Sequence, residues 1–418
     1  MSLCYATIVS ANYLAYARVL GHSLAEHGAG APLKVLLVER SSEALRALVA
    51  DAGLDCVFAE ELGLPDFERL AYKYDVLELN TALKPTFLKR LLSQGHERVV
   101  YVDPDIRFFA PALPVIEALD AAPIVLTPHA LHPVLDGERP SDVDFLRNGV
   151  FNLGFIALRT HPRSLAMLDW WEQRCLGLGF NDLGFGTFVD QKWADLIPVY
   201  FEEVAILRHP GCNVAYWNLH ERSVSEQGGT LRVGGGPLVF FHFSGVDPHR
   251  PEQLSRHQTR HDLDQLPCVA ALVRTYGKAL LEQGHDRYRG VAYSFGKLHD
   301  GTHVSPLMRR ALLSDAEMAQ EVDPFDPQGR LQRELRACGI SHGAQAGTES
   351  AKGVTTHNLA EQGARLLWVN RAVRVLSRLL GPERAHMLLS YAAVLTRESH
   401  LASVLRNRPM RFKHEPRR

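Results

Sequence analysis

Apolar and polar positions along the first hundred residues alternate between two periods. Tyr5–Val9 reads as a buried strand, followed by a helical pattern from Asn12 to His27. Leu33–Val38 is strand-like, Ser42–Ala52 helical, and Leu54–Ala59 a third short strand. A helical stretch then runs through Leu83–Leu92, and Arg98–Val102 (RVVYV) is a fourth strand. Strand and helix in this rhythm predict a parallel sheet covered by helices on both faces, with ligands collecting at the carboxyl ends of the strands.

Beyond residue 150 the rhythm weakens. Asn152–Leu158 is strand-like, Leu165–Cys175 helical, and Val239–Phe243 a short buried strand, while GFNDLGFGTF and GGGP punctuate loops. Residues 337–358 are small and polar with no apolar period, which predicts a flexible linker. No internal repeat is visible. The expected organisation is an α/β domain over 1–250, a mostly helical extension over 251–336, the linker, and a tail over 359–418.

That tail changes the charge picture. The chain of 418 residues has a net charge of -1, with 46% apolar and 22% charged residues, as in ordinary globular proteins. From Leu359 to Arg418, however, there are twelve Lys/Arg against four Asp/Glu. Leu366, Val369, Val373, Leu376 and Leu380 fall on one helical stripe, and Arg371, Arg374 and Arg378 on another. Such a helix either packs its apolar face on the core or docks to an anionic membrane surface or partner. The neutral total argues against a polycationic nucleic-acid binder.

Six scattered cysteines without a CxxC pair argue against a zinc module or a disulfide framework. The N-terminal residues lack a signal-peptide pattern, and no apolar run reaches the length of about 18 residues that spans a bilayer. The expected location is cytoplasmic, with peripheral contact at the inner face of the membrane if the tail docks there.

The candidate chemistry centres on Asp103-Pro104-Asp105, which closes the strand RVVYV. Two carboxylates at a strand's carboxyl end form a hard-oxygen site for Mn2+ or Mg2+, with open positions that phosphate oxygens can fill. Asp-rich turns look the same in sequence. His242, in VFFHFSG, is either a satisfied core histidine or a third ligand. Lys84 is either a solvated lysine or a cation over a diphosphate. Asp190-Gln191 reads, on its own, as a helix N-cap. His257 and Arg260 are spaced to share one helical face, as a surface ion-pair set or an acceptor-side extension.

In this order the motifs resemble glycosyltransferase family 8, of the GT-A class of nucleotide-sugar enzymes, over residues 1–250. The resemblance implies an α/β fold, a Rossmann-like mixed sheet flanked by helices, here with a helical C-terminal extension. It implies that Asn12-Tyr13 lies near the nucleotide base and that Lys84 precedes the metal strand. Asp103, Asp105 and His242 would hold the cation, with Gly245 completing His-x-x-Gly. Asn152 would line the sugar pocket, and Asp190 and Gln191 would touch the donor sugar. Ser10 stands where relatives carry an acid contacting uracil, and Pro248 where they carry a lysine, whose charge His249 or Arg250 could supply. Lys192 replaces the acid that often follows Asp-Gln.

The implied function is metal-dependent transfer of a hexose, with retention, from a nucleoside diphosphate sugar, UDP favoured, to a glycan or lipid-linked acceptor in cell-envelope polysaccharide synthesis. An inverting enzyme would draft Asp190 as base. A sugar nucleotidyltransferase would show a Gly-rich basic loop after the first strand, and SANYLAYARVLG has none. A non-catalytic nucleotide-sugar-binding scaffold would have no use for a metal set.

Overall fold

The computed structural model describes residues 2–312, 321–341 and 363–406. Residues 342–358 of the expected linker, and 359–362 and 407–418 of the tail, lie outside them. The chain divides into two compact units: Met1–Phe67 with Val76–Ser294, and Glu68–Asp75 with Phe295–Arg418.

The first unit opens with β1 (Leu3–Val9), α1 (Leu14–His27), β2 (Leu33–Leu37), α2 (Glu43–Ala52) and β3 (Cys56–Phe58). Ser42 caps α2 by accepting from the Leu45 amide, and Gly53 ends it in the left-handed conformation. The chain passes through α3 (Phe67–Lys73), then forms α4 (Val76–Ala82), α5 (Lys84–Ser93), β4 (Arg98–Val102) and β5 (Ile106–Phe108). Next come α6 (Leu113–Ala121), β6 (Ile124–Pro128), α7 (Asp142–Asn148), β7 (Phe151–Arg159) and α8 (Pro162–Leu178). Short elements follow: β8 (Asn181–Asp182), β9 (Thr187–Phe188), α9 (Gln191–Ala194), α10 (Ile197–Tyr200) and β10 (Val204–Ile206). The unit closes with β11 (Val224–Gln227), β12 (Thr230–Val233), β13 (Gly236–Pro237), β14 (Phe240–His242), α11 (Pro267–Glu282) and α12 (His285–Tyr288).

Seven strands form the main sheet in the order β10-β6-β7-β4-β1-β2-β3. β1 is parallel to β2 and β4, and β6 to β10, but β7 runs antiparallel between β4 and β6. The sheet is therefore mixed rather than parallel throughout. Hydrophobic periodicity could not show this. FNLGFIALR is buried almost end to end, and a strand covered on both faces carries no mark of its direction.

The second unit contains α3, α13 (Pro306–Ala311), α14 (Arg330–Ala337), α15 (Gly363–Leu380), α16 (Pro382–Leu395) and α17 (Glu398–Leu405). Buried Arg309 fastens it, donating to the carbonyls of Ala71, Tyr72, Tyr74 and Phe295 at 3.1, 2.9, 2.6 and 2.7 Å. Arg406 pairs with Glu334 at 2.6 Å and donates to the Ala311 carbonyl. No helix among the described residues is long and apolar enough to cross a membrane.

Two expectations change here. The segment holding His257 and Arg260 is turns, not helix, so the two residues share no helical face. The Arg260 side chain is buried instead, and its guanidinium clamps Asp136 and the carbonyls of Glu138 and Pro140. On α15 the expected stripe is divided: Val373 and Leu376 are half-buried, while Val369 and Leu380 are 57% and 38% exposed. Leu367, Trp368 and Leu379, off that stripe, are 65%, 71% and 76% exposed.

Candidate metal and donor site

Because β1, β2 and β4 run parallel, the residues after them meet at one edge of the sheet. Ser10–Tyr13 follow β1, Glu39 follows β2, and Asp103 follows β4. Within Asp103-Pro104-Asp105 the Ile106 amide donates to the Asp103 carbonyl, and the chain reverses into β5. β5 pairs antiparallel with β14, with His242 opposite Ile106, and the Phe243 amide donates to the Asp105 carbonyl. That register sets the imidazole beside the acids: His242 Nε2 lies 2.9 Å from Asp105 Oδ1 and 4.0 Å from Asp103 Oδ2.

The donor set fits a divalent cation. Two partly exposed carboxylates and a buried imidazole converge, offering two hard oxygens and one nitrogen with room for other oxygens. Burial alone would lower the His242 pKa. The carboxylates of Asp105 and Asp103 outweigh it and raise it, because two nearby negative charges favour the protonated ring. Tyr101, two residues before Asp103 on the same strand face, donates to Asp103 Oδ1 at 2.7 Å and aims the carboxylate.

Beside this group lies a buried ion pair. Lys84 and Asp190 are each 2% exposed and 2.6 Å apart. The Lys84 ammonium also donates to the Leu153 carbonyl at 2.7 Å and lies 4.3 Å over the Tyr101 ring. It is thus no solvated lysine, and its hydrogens face partners within the protein. Asp190 sits at the N-cap position of α9, yet its side chain makes no capping bond and turns to Lys84. Burial raises the Asp190 pKa while Lys84 opposes the rise. Val189, directly before it, has φ of 44°, a strained conformation for a β-branched residue, costing about 1–3 kcal/mol. Gln191 accepts from the Leu153 amide at 3.1 Å and donates to the Asn148 carbonyl at 3.0 Å. Lys84 and Gln191 thereby hold both backbone groups of Leu153, fixing the strand that presents Asn152 and Gly154.

Gly154 must be glycine. A Cβ there would meet His242 Cε1 at 2.4 Å and Asn152 Oδ1 at 2.9 Å. Gly245 has φ of 75°, and a Cβ would strike Ser255 Oγ at 2.5 Å and His257 Cδ2 at 2.6 Å. Ser10 Oγ donates to Asn12 Oδ1 at 2.7 Å, and the half-exposed Tyr13 ring stacks on Tyr16 at 4.6 Å. Arg250 stays at the surface, with 67% of its side chain exposed and its guanidinium 3.9 Å from Asp247. His249 lies 2.8 Å from Asp286 in an exposed pair.

Several residues at this site were not anticipated. Glu39 accepts from the Ala11 amide at 3.0 Å and the Ser294 amide at 2.7 Å, so an acid does reach the loop where Ser10 lacks one. Burial raises its pKa. His129, just past β6, reaches Asn152, and Trp217 lies edge-on to both His129 and His242. Strand alternation could have found Tyr101. No motif marks Glu39, His129 or Trp217.

No family model matches the sequence. Two proteins of Bacillus subtilis (strain 168) are similar to it. The uncharacterized protein YfnF is 28% identical over 250 residues, covering 59% of this chain and 82% of its own. The uncharacterized protein YfnD is 26% identical over 245 residues, covering 58% and 77%. Among solved structures, the galactosyltransferase LgtC in complex with donor and acceptor sugar analogues is 15% identical with a TM-score of 0.38, over 65% of this chain and 96% of that one. Mouse xyloside xylosyltransferase 1 is 16% identical with a TM-score of 0.35, over 58% and 97%. The glycosyltransferase GlyE of Streptococcus pneumoniae is 14% identical with a TM-score of 0.39, over 68% and 63%. Likeness at this level carries no functional argument, and the case for function stands on the residues themselves.

Proposed function

We propose that this protein is a divalent-cation-dependent glycosyltransferase, moving a hexose from a nucleoside diphosphate sugar to an acceptor hydroxyl. The observation that carries the reading is the convergence of Asp103, Asp105 and His242 at the carboxyl end of β4. In the reaction the bond from the anomeric carbon to the diphosphate oxygen breaks, its electron pair leaving with the diphosphate. The acceptor oxygen bonds that carbon and its proton passes to the departing diphosphate.

Asp103, Asp105 and His242 would hold Mn2+ or Mg2+. A bound cation supplies electrostatic stabilisation of charge growing on the leaving group. Asn12 and Tyr13 serve the base and ribose, with the exposed Tyr13 ring offering a stacking face. Asp190 and Gln191 belong to the donor-sugar side, and Lys84, through its pair with Asp190, sets the carboxylate in place. Front-face attack with retention, a UDP donor and an envelope glycan or lipid-linked acceptor complete the reading. The basic α15 brings the protein to an anionic membrane surface.

Calorimetric titration of UDP and GDP, with and without Mn2+, tests this on the full chain and on Asp105→Ala. Manganese-dependent binding of UDP, lost in the variant, is expected, and the anomeric proton coupling of the product then reports the stereochemistry. Absence of binding by either diphosphate under every metal condition would overturn the proposal.

A further inference from the structure

The polar chain behind His242 has a direction. It begins at a backbone carbonyl, which can only accept: Val150 O lies 3.3 Å from His129 Nδ1, so that nitrogen carries the proton. His129 is buried, and burial lowers its pKa to about 4, leaving the ring neutral near pH 7 with a lone pair on Nε2. That lone pair faces Asn152 Nδ2 at 3.3 Å and accepts from it. The Asn152 amide is thereby oriented, with its oxygen 3.3 Å from His242 Nδ1. An oxygen there requires a His242 proton on Nδ1, so Nε2, which faces Asp105 and Asp103, is the nitrogen left to exchange its proton for a cation.

We infer that His129 and Asn152 are positioning residues that set the His242 tautomer for cation ligation. The inference rests on the metal-site reading above. If the amide of Asn152 were reversed, its NH2 would face His242 Nδ1. The imidazole would then keep its one proton on Nε2 and could not release that nitrogen to a cation. His129 is what disfavours that reversal, because its Nε2 can accept but not donate. A Cβ on Gly154 would strike His242 Cε1 at 2.4 Å, and the Trp217 ring stands edge-on to the imidazole at 5.0 Å. Phe145 stacks on His129 at 5.4 Å, so a phenylalanine in place of His129 keeps the ring contact and deletes the acceptor.

Two measurements on the full chain test this and separate it from the reading beneath it. Titration of MnCl2 alone is expected to show affinity reduced about 10–100-fold in Asn152→Leu. A smaller loss of several-fold is expected in His129→Phe, whose Asn152 is free to turn, on the same scale for outer partners of a metal ligand. Asn152→Asp keeps an acceptor for His242 and is expected to bind at least as tightly as the wild type. A purely structural role would penalise Leu and Asp alike. Wild-type affinity in both Asn152→Leu and His129→Phe would overturn the inference.

Long-range 1H–15N correlation of the imidazoles in the metal-free protein reads the protons directly, with His129 expected to be protonated at Nδ1 alone and His242 to carry a proton on Nδ1 whether or not Nε2 beside Asp105 is protonated too. A His242 ring protonated at Nε2 but not at Nδ1 would overturn the inference, whatever the metal result. A wild-type protein that binds no Mn2+ but shows these tautomers would instead refute the metal-site reading.

Discussion

A buried charge is tolerated only with its partner, and at the residue scale Lys84 and Asp190 put that to use. Each is 2% exposed, so neither can turn to water when the other is removed. Asp190→Ala strands an ammonium in the core and should cost about 3–5 kcal/mol, seen as a lower urea midpoint. Lys84→Met combined with Asp190→Leu removes both charges and should recover most of that loss, because desolvation nearly cancels the attraction within such a pair. A single-variant loss below about 1 kcal/mol would show that the pair is not what holds Leu153 and its strand. The pair was invisible in the sequence because its members lie on α5 and at the head of α9, far apart in the chain. Asp103 and Asp105 were legible for the opposite reason: their chemistry is local, written in three consecutive residues after an apolar strand. His129 shows the limit of that legibility. Its role comes from facing Asn152 across a loop, which leaves no pattern along the chain.

At the scale of elements, periodicity reports burial faithfully and topology poorly. β1, β2, β4 and α5 stand close to where the pattern placed them. β5, β6 and β10 are three to five residues long and were passed over, yet β5 is the strand whose pairing with β14 brings His242 to Asp105. The C-terminal helices carry the opposite lesson, since an amphipathic pattern predicts a helix without saying what its apolar face meets. α15 contains four arginines and no acid, and exposes Leu367, Trp368, Val369, Val375 and Leu379. On α16, Met387 and Tyr391 are 63% and 60% exposed. Apolar side chains interleaved with arginine suit the interfacial layer of an anionic bilayer. Each arginine near such a surface contributes about 1 kcal/mol, so Arg371→Glu/Arg374→Glu/Arg378→Glu should weaken binding by about 100-fold or more. Co-sedimentation with phosphatidylglycerol vesicles, against phosphatidylcholine alone, measures it. Equal retention of the triple variant on anionic vesicles would refute membrane docking.

At the scale of the whole molecule, every candidate site residue belongs to the first unit, from Ser10 to Arg250. That suggests a chain ending at Ser294 would suffice, but the division is not a single cut. The chain leaves the first unit at Phe67, runs through Glu68–Asp75 as part of the second, and returns at Val76. In that excursion Ala71, Tyr72 and Tyr74 are fully buried, and their carbonyls are held by Arg309. Simple truncation after Ser294 would therefore strip Tyr72 of Phe325 and Gln332 and remove the guanidinium from three carbonyls. Such a fragment should aggregate on size-exclusion chromatography. Replacing Glu68–Asp75 with an eight-residue Gly/Ser segment in the same fragment removes the liability. The repaired fragment should elute as a folded species and bind Mn2+ within a few-fold of the full chain, since outer-partner losses of about 10-fold or more would mean a disturbed site. If the plain truncation proves equally soluble and equally competent, the Glu68–Asp75 excursion contributes nothing to the first unit's stability.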